Sequence, residues 1–417
     1  MRIAWLLPAV GLASLGAIEA GPVAAQEPTL GIDSSYGCVV CHIDHRRAFL
    51  SGVHAERGIQ CDNCHGGRPA AMTVAGAHGG RFLGRPSKRQ IASLCASCHA
   101  DPNQMRQFGL RSDEMAALHT SRHGQLLERG DDNAPTCTDC HEAHLIRRAT
   151  DARSNTNPLN IPGLCARCHA DAARMAPYGI PADQFAQFSS SAHGEALFRD
   201  RNLAAPTCVG CHGSHSALPP GVTQVTDVCG RCHALVRDAF SLGPHAEPTA
   251  RGVISGCTAC HSNHGTERVA PDAVAESCGH CHEPGTAAAA TADTLETQVH
   301  EASHRLEEAR AAMARLEAAG RPIADMEQRY RTAFTAYRQM ALVQHSLETE
   351  TLESLALQVI SSVRTIDEAA EVAAEQRWEH QLLLIPVWFL ALAVVVLARF
   401  RISESREAPP PAAGDGP

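Results

Sequence analysis

Nine pentapeptides of the form Cys-x-x-Cys-His lie between residues 38 and 282, and they use all eighteen cysteines of the 417-residue chain. They begin at Cys38, Cys61, Cys95, Cys137, Cys165, Cys208, Cys229, Cys257 and Cys278. Two thiols three residues apart can add to the two vinyl groups of one porphyrin, and the His that follows sits on the same side of a helical turn as an axial ligand to the iron. Zinc sites also use Cys-x-x-Cys pairs, and a secreted chain with an even cysteine count can be a disulfide framework. Neither needs a His after the second Cys every time. The motifs therefore predict nine covalently attached haems c. Their attachment points are Cys38, Cys41, Cys61, Cys64, Cys95, Cys98, Cys137, Cys140, Cys165, Cys168, Cys208, Cys211, Cys229, Cys232, Cys257, Cys260, Cys278 and Cys281. The proximal ligands are His42, His65, His99, His141, His169, His212, His233, His261 and His282.

The motif region repeats with a period near 70 residues, and a period of that kind must be read before any single element. LCASCHADPNQMRQFGL from Leu94 matches LCARCHADAARMAPYGI from Leu164. TSRHGQLL around His123 matches SSAHGEAL around His193, and APTCTDCHEAH matches APTCVGCHGSH. A shorter copy runs from Cys229 through His245 to CTACHSNH. Each unit carries two motifs and two further histidines, one ahead of the second motif and one three residues beyond that motif's own His. The N-terminal part reads as a degenerate unit with His45, His54 and His78. The distal candidates are then His45, His54, His78, His123, His144, His193, His215, His245 and His264, as many as the motifs. A His three residues past a proximal His is expected to serve a neighbouring iron. Met105 and Met175 read as packing residues, His119 as a surface residue, and His280 as pointing away from its own haem. His300 and His304, spaced i and i+4, read as a solvated helix face, whereas His345, in mid-helix, is a weaker candidate to cover a haem.

Met1-Arg2, an apolar stretch from Ile3 and the small residues Val23-Ala24-Ala25 predict a signal peptide over 1–25. A second apolar run, Leu382 to Ala398, precedes Arg399, Arg401 and Arg406 and predicts a transmembrane helix over 381–400 with a cytoplasmic tail at 401–417. The rest of the chain would then be periplasmic, held to the cytoplasmic membrane by a single C-terminal pass. His380 would fall at the water–membrane boundary. Aromatic residues make up 4% of the chain, too few for a conventional core of this length. Porphyrins would supply the missing apolar mass over 26–289, and haem removal should unfold that region. The net charge of −9 gives no sign of nucleic-acid binding.

From Leu295 apolar residues recur as Val299, Ala302, Leu306, Ala309, Met313 and Leu316, alternating steps of four and three. Gly320-Arg321-Pro322 breaks the helix and restarts it. Further runs carry Ile323, Met326, Tyr330, Ala333, Tyr337 and Met340, then Leu352, Leu355, Val359, Ile366 and Ala370. Residues 290–380 are expected to form an antiparallel helical hairpin whose second arm breaks near 345–351, with oligomerisation among its candidate roles. The fold class is thus mainly α with much irregular loop: a haem-packed domain, a long hairpin and one C-terminal transmembrane helix.

The paired motifs with intervening Ser-x-His-Gly segments resemble the doubled-CxxCH multihaem cytochromes c over residues 36–283. That resemblance implies an electron-transfer cytochrome of anaerobic respiration. A looser similarity in layout joins the chain to the nitrite reductase and hydroxylamine oxidoreductase group. It departs from that group because no motif replaces its last His by Lys, and tyrosines are few: Tyr36, Tyr178, Tyr330 and Tyr337. Nine distal candidates for nine irons leave no open coordination position, which favours electron transfer over catalysis and names no catalytic residue. The alternative is an oxidoreductase of small nitrogen or sulfur compounds with one open haem, at the expense of His45 or His78. Expected partners are redox proteins, with a quinol-oxidising membrane subunit a candidate among them.

Overall fold

The computed structural model describes residues 36–407, and every regular element among them is helical. Up to residue 283 the helices are short. Those bearing the motifs run Gly37–Cys41, Cys61–His65, Lys88–His99, Cys137–His141, Ile161–His169, Cys208–His212, Val225–Gly230, Thr258–His261 and Val274–Gly279. Few apolar side chains are buried in this region; the largest cluster joins Ala92, Leu127 and Ala134. Met105 and Met175, equivalent in the repeat, are both 6% exposed and pack inward.

Three long helices follow, Ala287–Ala318, Ala324–Val343 and Thr349–Glu407. Thr286 caps the first by accepting a hydrogen bond from the Ala289 N–H. All seven residues of the predicted seam, Leu295 to Leu316, are buried on it. Six of them, Leu295 to Met313, meet Ala333, Ala336 and Met340 of the second helix and Leu352, Ala356, Val359, Val363 and Ile366 of the third in one core. The expected hairpin is therefore a three-helix bundle. The break near residue 345 is a full reversal, with Leu347 in the left-handed region at φ 61°, and it folds the third helix back along the other two. The sequence pattern marked the break, but a break and a reversal look alike in a heptad register.

The expected membrane anchor is overturned. The third helix continues to Glu407 through Pro386, but no helix among the described residues is long and apolar enough to cross a membrane. The apolar run Leu382–Ala398, closed off by Arg399, covers roughly 26 Å at 1.5 Å per residue, against a hydrocarbon core of about 30 Å. The transmembrane helix at 381–400 and the single-pass localisation built on it fall together. The expected signal peptide at 1–25 lies outside the described residues.

Candidate haem sites

The haem-region helices are built to aim imidazoles. In the two closest repeats a buried Ser starts the helix that carries a distal candidate. Ser121 Oγ accepts the Gly124 N–H at 2.9 Å and donates to the Leu118 carbonyl at 2.7 Å. Ser191 does the same with Gly194 and Phe188, at 3.0 and 2.7 Å. A Cβ at Gly124 would lie 1.9 Å from the Leu118 carbonyl oxygen, and one at Gly194 2.0 Å from that of Phe188. Glycine is required because the previous helix crosses there, and the Ser-x-His-Gly segment is a cap and a crossing with His123 or His193 between them.

The second motif of each unit has its own device. The residue after its proximal His takes the same unusual backbone each time: Gly66 at φ 63°, Glu142 at 66°, Gly213 at 81° and Ser262 at 57°. At Glu142 and Ser262 this conformation, with ψ near 180°, is otherwise almost confined to glycine and costs about 1–3 kcal/mol. It turns the chain away from the proximal face, so His144, His215 and His264 leave the haem of their own motif. By contrast, Ala100 and Ala170 after His99 and His169 keep negative φ.

Every proximal His has another imidazole opposite it at nearly constant separation. Ring centres lie 6.1 Å apart in His42–His78, His65–His144, His99–His54, His141–His215, His169–His123, His233–His193 and His282–His245. His212–His264 is at 5.9 Å and His261–His345 at 6.2 Å. Two metal–nitrogen bonds of about 2 Å plus the two half-rings place trans imidazoles on one metal about 6 Å apart. The donor set therefore fits nine irons, each with a ligand on either face. An open cleft of about 430 Å³ lies beside the Cys165–His169 motif, with Leu159, Leu164, Phe185 and Phe198 as apolar lining and Asn155, Asn160 and Arg167 as polar lining.

The second shell agrees with that chemistry. His65 Nδ1 is bonded to the Leu83 carbonyl at 2.8 Å, His212 Nδ1 to Leu218 at 3.2 Å and His261 Nδ1 to Glu267 at 3.0 Å. A carbonyl at Nδ1 fixes the proton there and leaves Nε2 as the ligating atom. Burial first, and then a nearby imidazole, pushes His54, His123, His141, His169, His193, His245 and His345 below the usual histidine range. That favours the neutral form that binds metal.

Two of the sequence expectations change. His45 is exposed and faces His144 at 4.6 Å, too close for a shared iron. Its ring is 6.4 Å from His42, but the two residues are three apart at the start of helix Ile43–Leu50. One helical turn rises only about 5.4 Å and cannot pass around a porphyrin edge. In place of His45 the structure brings His345, from the end of the second long helix, opposite His261. The sequence signal for it was weak: an imidazole in an otherwise heptad-patterned segment. His119 is bonded to Glu128, His280 is exposed, and His300 and His304 stack on each other along one helix face.

The thiols order the sites. The first cysteines of neighbouring motifs lie side by side, Cys95 with Cys137, Cys165 with Cys208 and Cys229 with Cys257. Cys38 and Cys61 lie within electrostatic reach of each other. So do the second cysteines of the alternate pairs: Cys64 with Cys98, Cys140 with Cys168, Cys211 with Cys232 and Cys260 with Cys281. Cysteines of successive motifs thus lie beside one another in chain order from first to ninth, and Cys95, Cys165 and Cys229 each neighbour cysteines of both the motif before and the motif after.

A helical scaffold of this kind, poor in core and rich in paired imidazoles beside paired thiols, defines a c-type haem protein. Residues 14–66 match the family model for cytochrome c554 and c-prime, a stretch that takes in the first two motifs whole. No curated protein and no solved structure matches the chain. The family match supports a multihaem c-type electron-transfer cytochrome with covalently bound haem.

Proposed function

We propose that the chain is a nine-haem electron relay of a respiratory chain, with bis-histidine iron at every motif and the haems running in one file from the Cys38 motif to the Cys278 motif. The observation that carries this is the uniform pairing of all nine proximal histidines with a second imidazole near 6.1 Å. An iron held on both faces offers no position for substrate, so the paired imidazoles serve to carry electrons. Bound haem supplies reversible one-electron chemistry at its iron, and two imidazoles set a lower potential than His with Met. The polypeptide fixes each iron's ligands and spaces successive sites by setting the attachment cysteines of neighbouring motifs side by side. Redox partner proteins at the two ends of the file are the expected donor and acceptor.

Purified holoprotein tests the reading. Haem quantification should give nine per chain, and the ferric electron paramagnetic resonance spectrum should contain only low-spin signals. Carbon monoxide should leave the reduced spectrum unchanged. A wild-type high-spin signal worth one haem, with nitrite or hydroxylamine turnover, would move the assignment to an oxidoreductase.

A further inference from the structure

We propose that His345 is the distal ligand of the iron held by His261, so that the three-helix bundle is a ligand-donating part of the cytochrome. The inference rests on the haem reading of the motifs and adds to it a residue outside the motif region.

The repeat itself creates the need. The His three residues past each second motif reaches back to the second motif of the preceding unit: His144 to His65, His215 to His141 and His264 to His212. The His ahead of each second motif reaches forward to the first motif of the next unit: His54 to His99, His123 to His169, His193 to His233 and His245 to His282. A file cross-linked this way leaves two irons without an in-pattern partner. At the front, no preceding unit supplies a His for His42, and His78, which matches no repeat position, stands opposite it. At the back, the iron of His261 would need a His from a second motif after Cys278–His282, and the cysteines have run out.

His345 fills that position with the geometry of a ligand. Its ring lies 6.2 Å from His261. Its Nδ1 is bonded to the Ala341 carbonyl at 2.9 Å, as His261 Nδ1 is to Glu267, so both rings turn Nε2 towards the space between them. The reversal after Val343 carries the ring there, and it is docked on the haem region. A Cβ at Gly243 would lie 3.1 Å from the carbonyl oxygens of both His345 and Ser346, and Ser346 is buried. Gly243 is two residues before His245, the ligand candidate for the ninth haem, so the bundle seats against the last two sites.

The test replaces His345 by Gly and by Met in the full-length holoprotein. With Gly, the haem count should stay at nine while one haem becomes high-spin and binds carbon monoxide, and added imidazole should restore the low-spin spectrum. With Met, one of the nine potentials should rise while the rest hold. The Met variant keeps a ligand and an apolar side chain, so it reads the site even where the Gly variant fails to accumulate. A full haem complement that stays entirely low-spin and inert to carbon monoxide in the Gly variant, with no potential moved in the Met variant, overturns the assignment. Wild-type protein without haem would instead overturn the haem reading beneath it.

Discussion

Residues 36–283 and the bundle from 287 to 370 are both helical, yet opposite forces hold them. The bundle buries Leu295, Leu306, Met340, Leu352, Val359 and Ile366 at 4% exposure or less, a continuous apolar core of the kind that folds without help. The motif region has the small cluster at Ala92 and scattered single residues. Its helices are held by caps, crossings and turns, and what they position is imidazole and thiol. The first region is organised around a cofactor and the second around itself. The contrast shows that a helix can exist to bury a face or to point a ligand, and that the two leave different sequences.

Withholding the haem-attachment machinery is the largest perturbation. Circular dichroism of the resulting protein should retain the helical signal of the bundle and lose most of that from 36–283, with limited proteolysis leaving a fragment that begins near residue 287. Next comes Leu352→Ala, which removes a fully buried side chain and should cost the bundle about 3 kcal/mol in denaturant titration. In that variant, disturbance of the haem spectrum should be confined to the one haem that faces His345. Gly124→Ala drives a Cβ into the Leu118 carbonyl and should destabilise the motif region by about 2 kcal/mol; the spectral change should be the loosening of the His123–His169 haem. Ser262→Gly has the opposite sign, stabilising by roughly 1 kcal/mol through relief of a left-handed serine. His45→Ala should leave haem count, spin state and carbon monoxide reactivity as in the wild type. A high-spin haem in that variant would return His45 to the ligand set at the expense of His78.

Different parts of this organisation were legible to different degrees. The proposed attachment cysteines and proximal histidines are read from a pattern five residues long, which local sequence carries whole. The bundle seam from Leu295 to Leu316 was equally plain, because burial repeats with the helix. His144, His215 and His264 could be picked out by their spacing. Which iron each faces could not, since that depends on the left-handed turns at Glu142, Gly213 and Ser262, and only one of those three residues is a glycine that announces such a turn. His45 mimics the spacing of His144, but it follows a first motif rather than a second and continues into a helix. The apolar run before Arg399 was read at the lower limit of a spanning length, where a few residues decide the outcome.

By itself the sequence determined the chemistry of attachment, the two-motif repeat and the heptad face, because each is written in residues a few positions apart. The partner of every imidazole was decided in three dimensions, where distal and proximal rings come from units whose separation in the chain carries no signal. His345 shows why. Between it and His261 lie two long helices and two reversals, and only the packing of the bundle against Gly243 brings the rings to 6.2 Å.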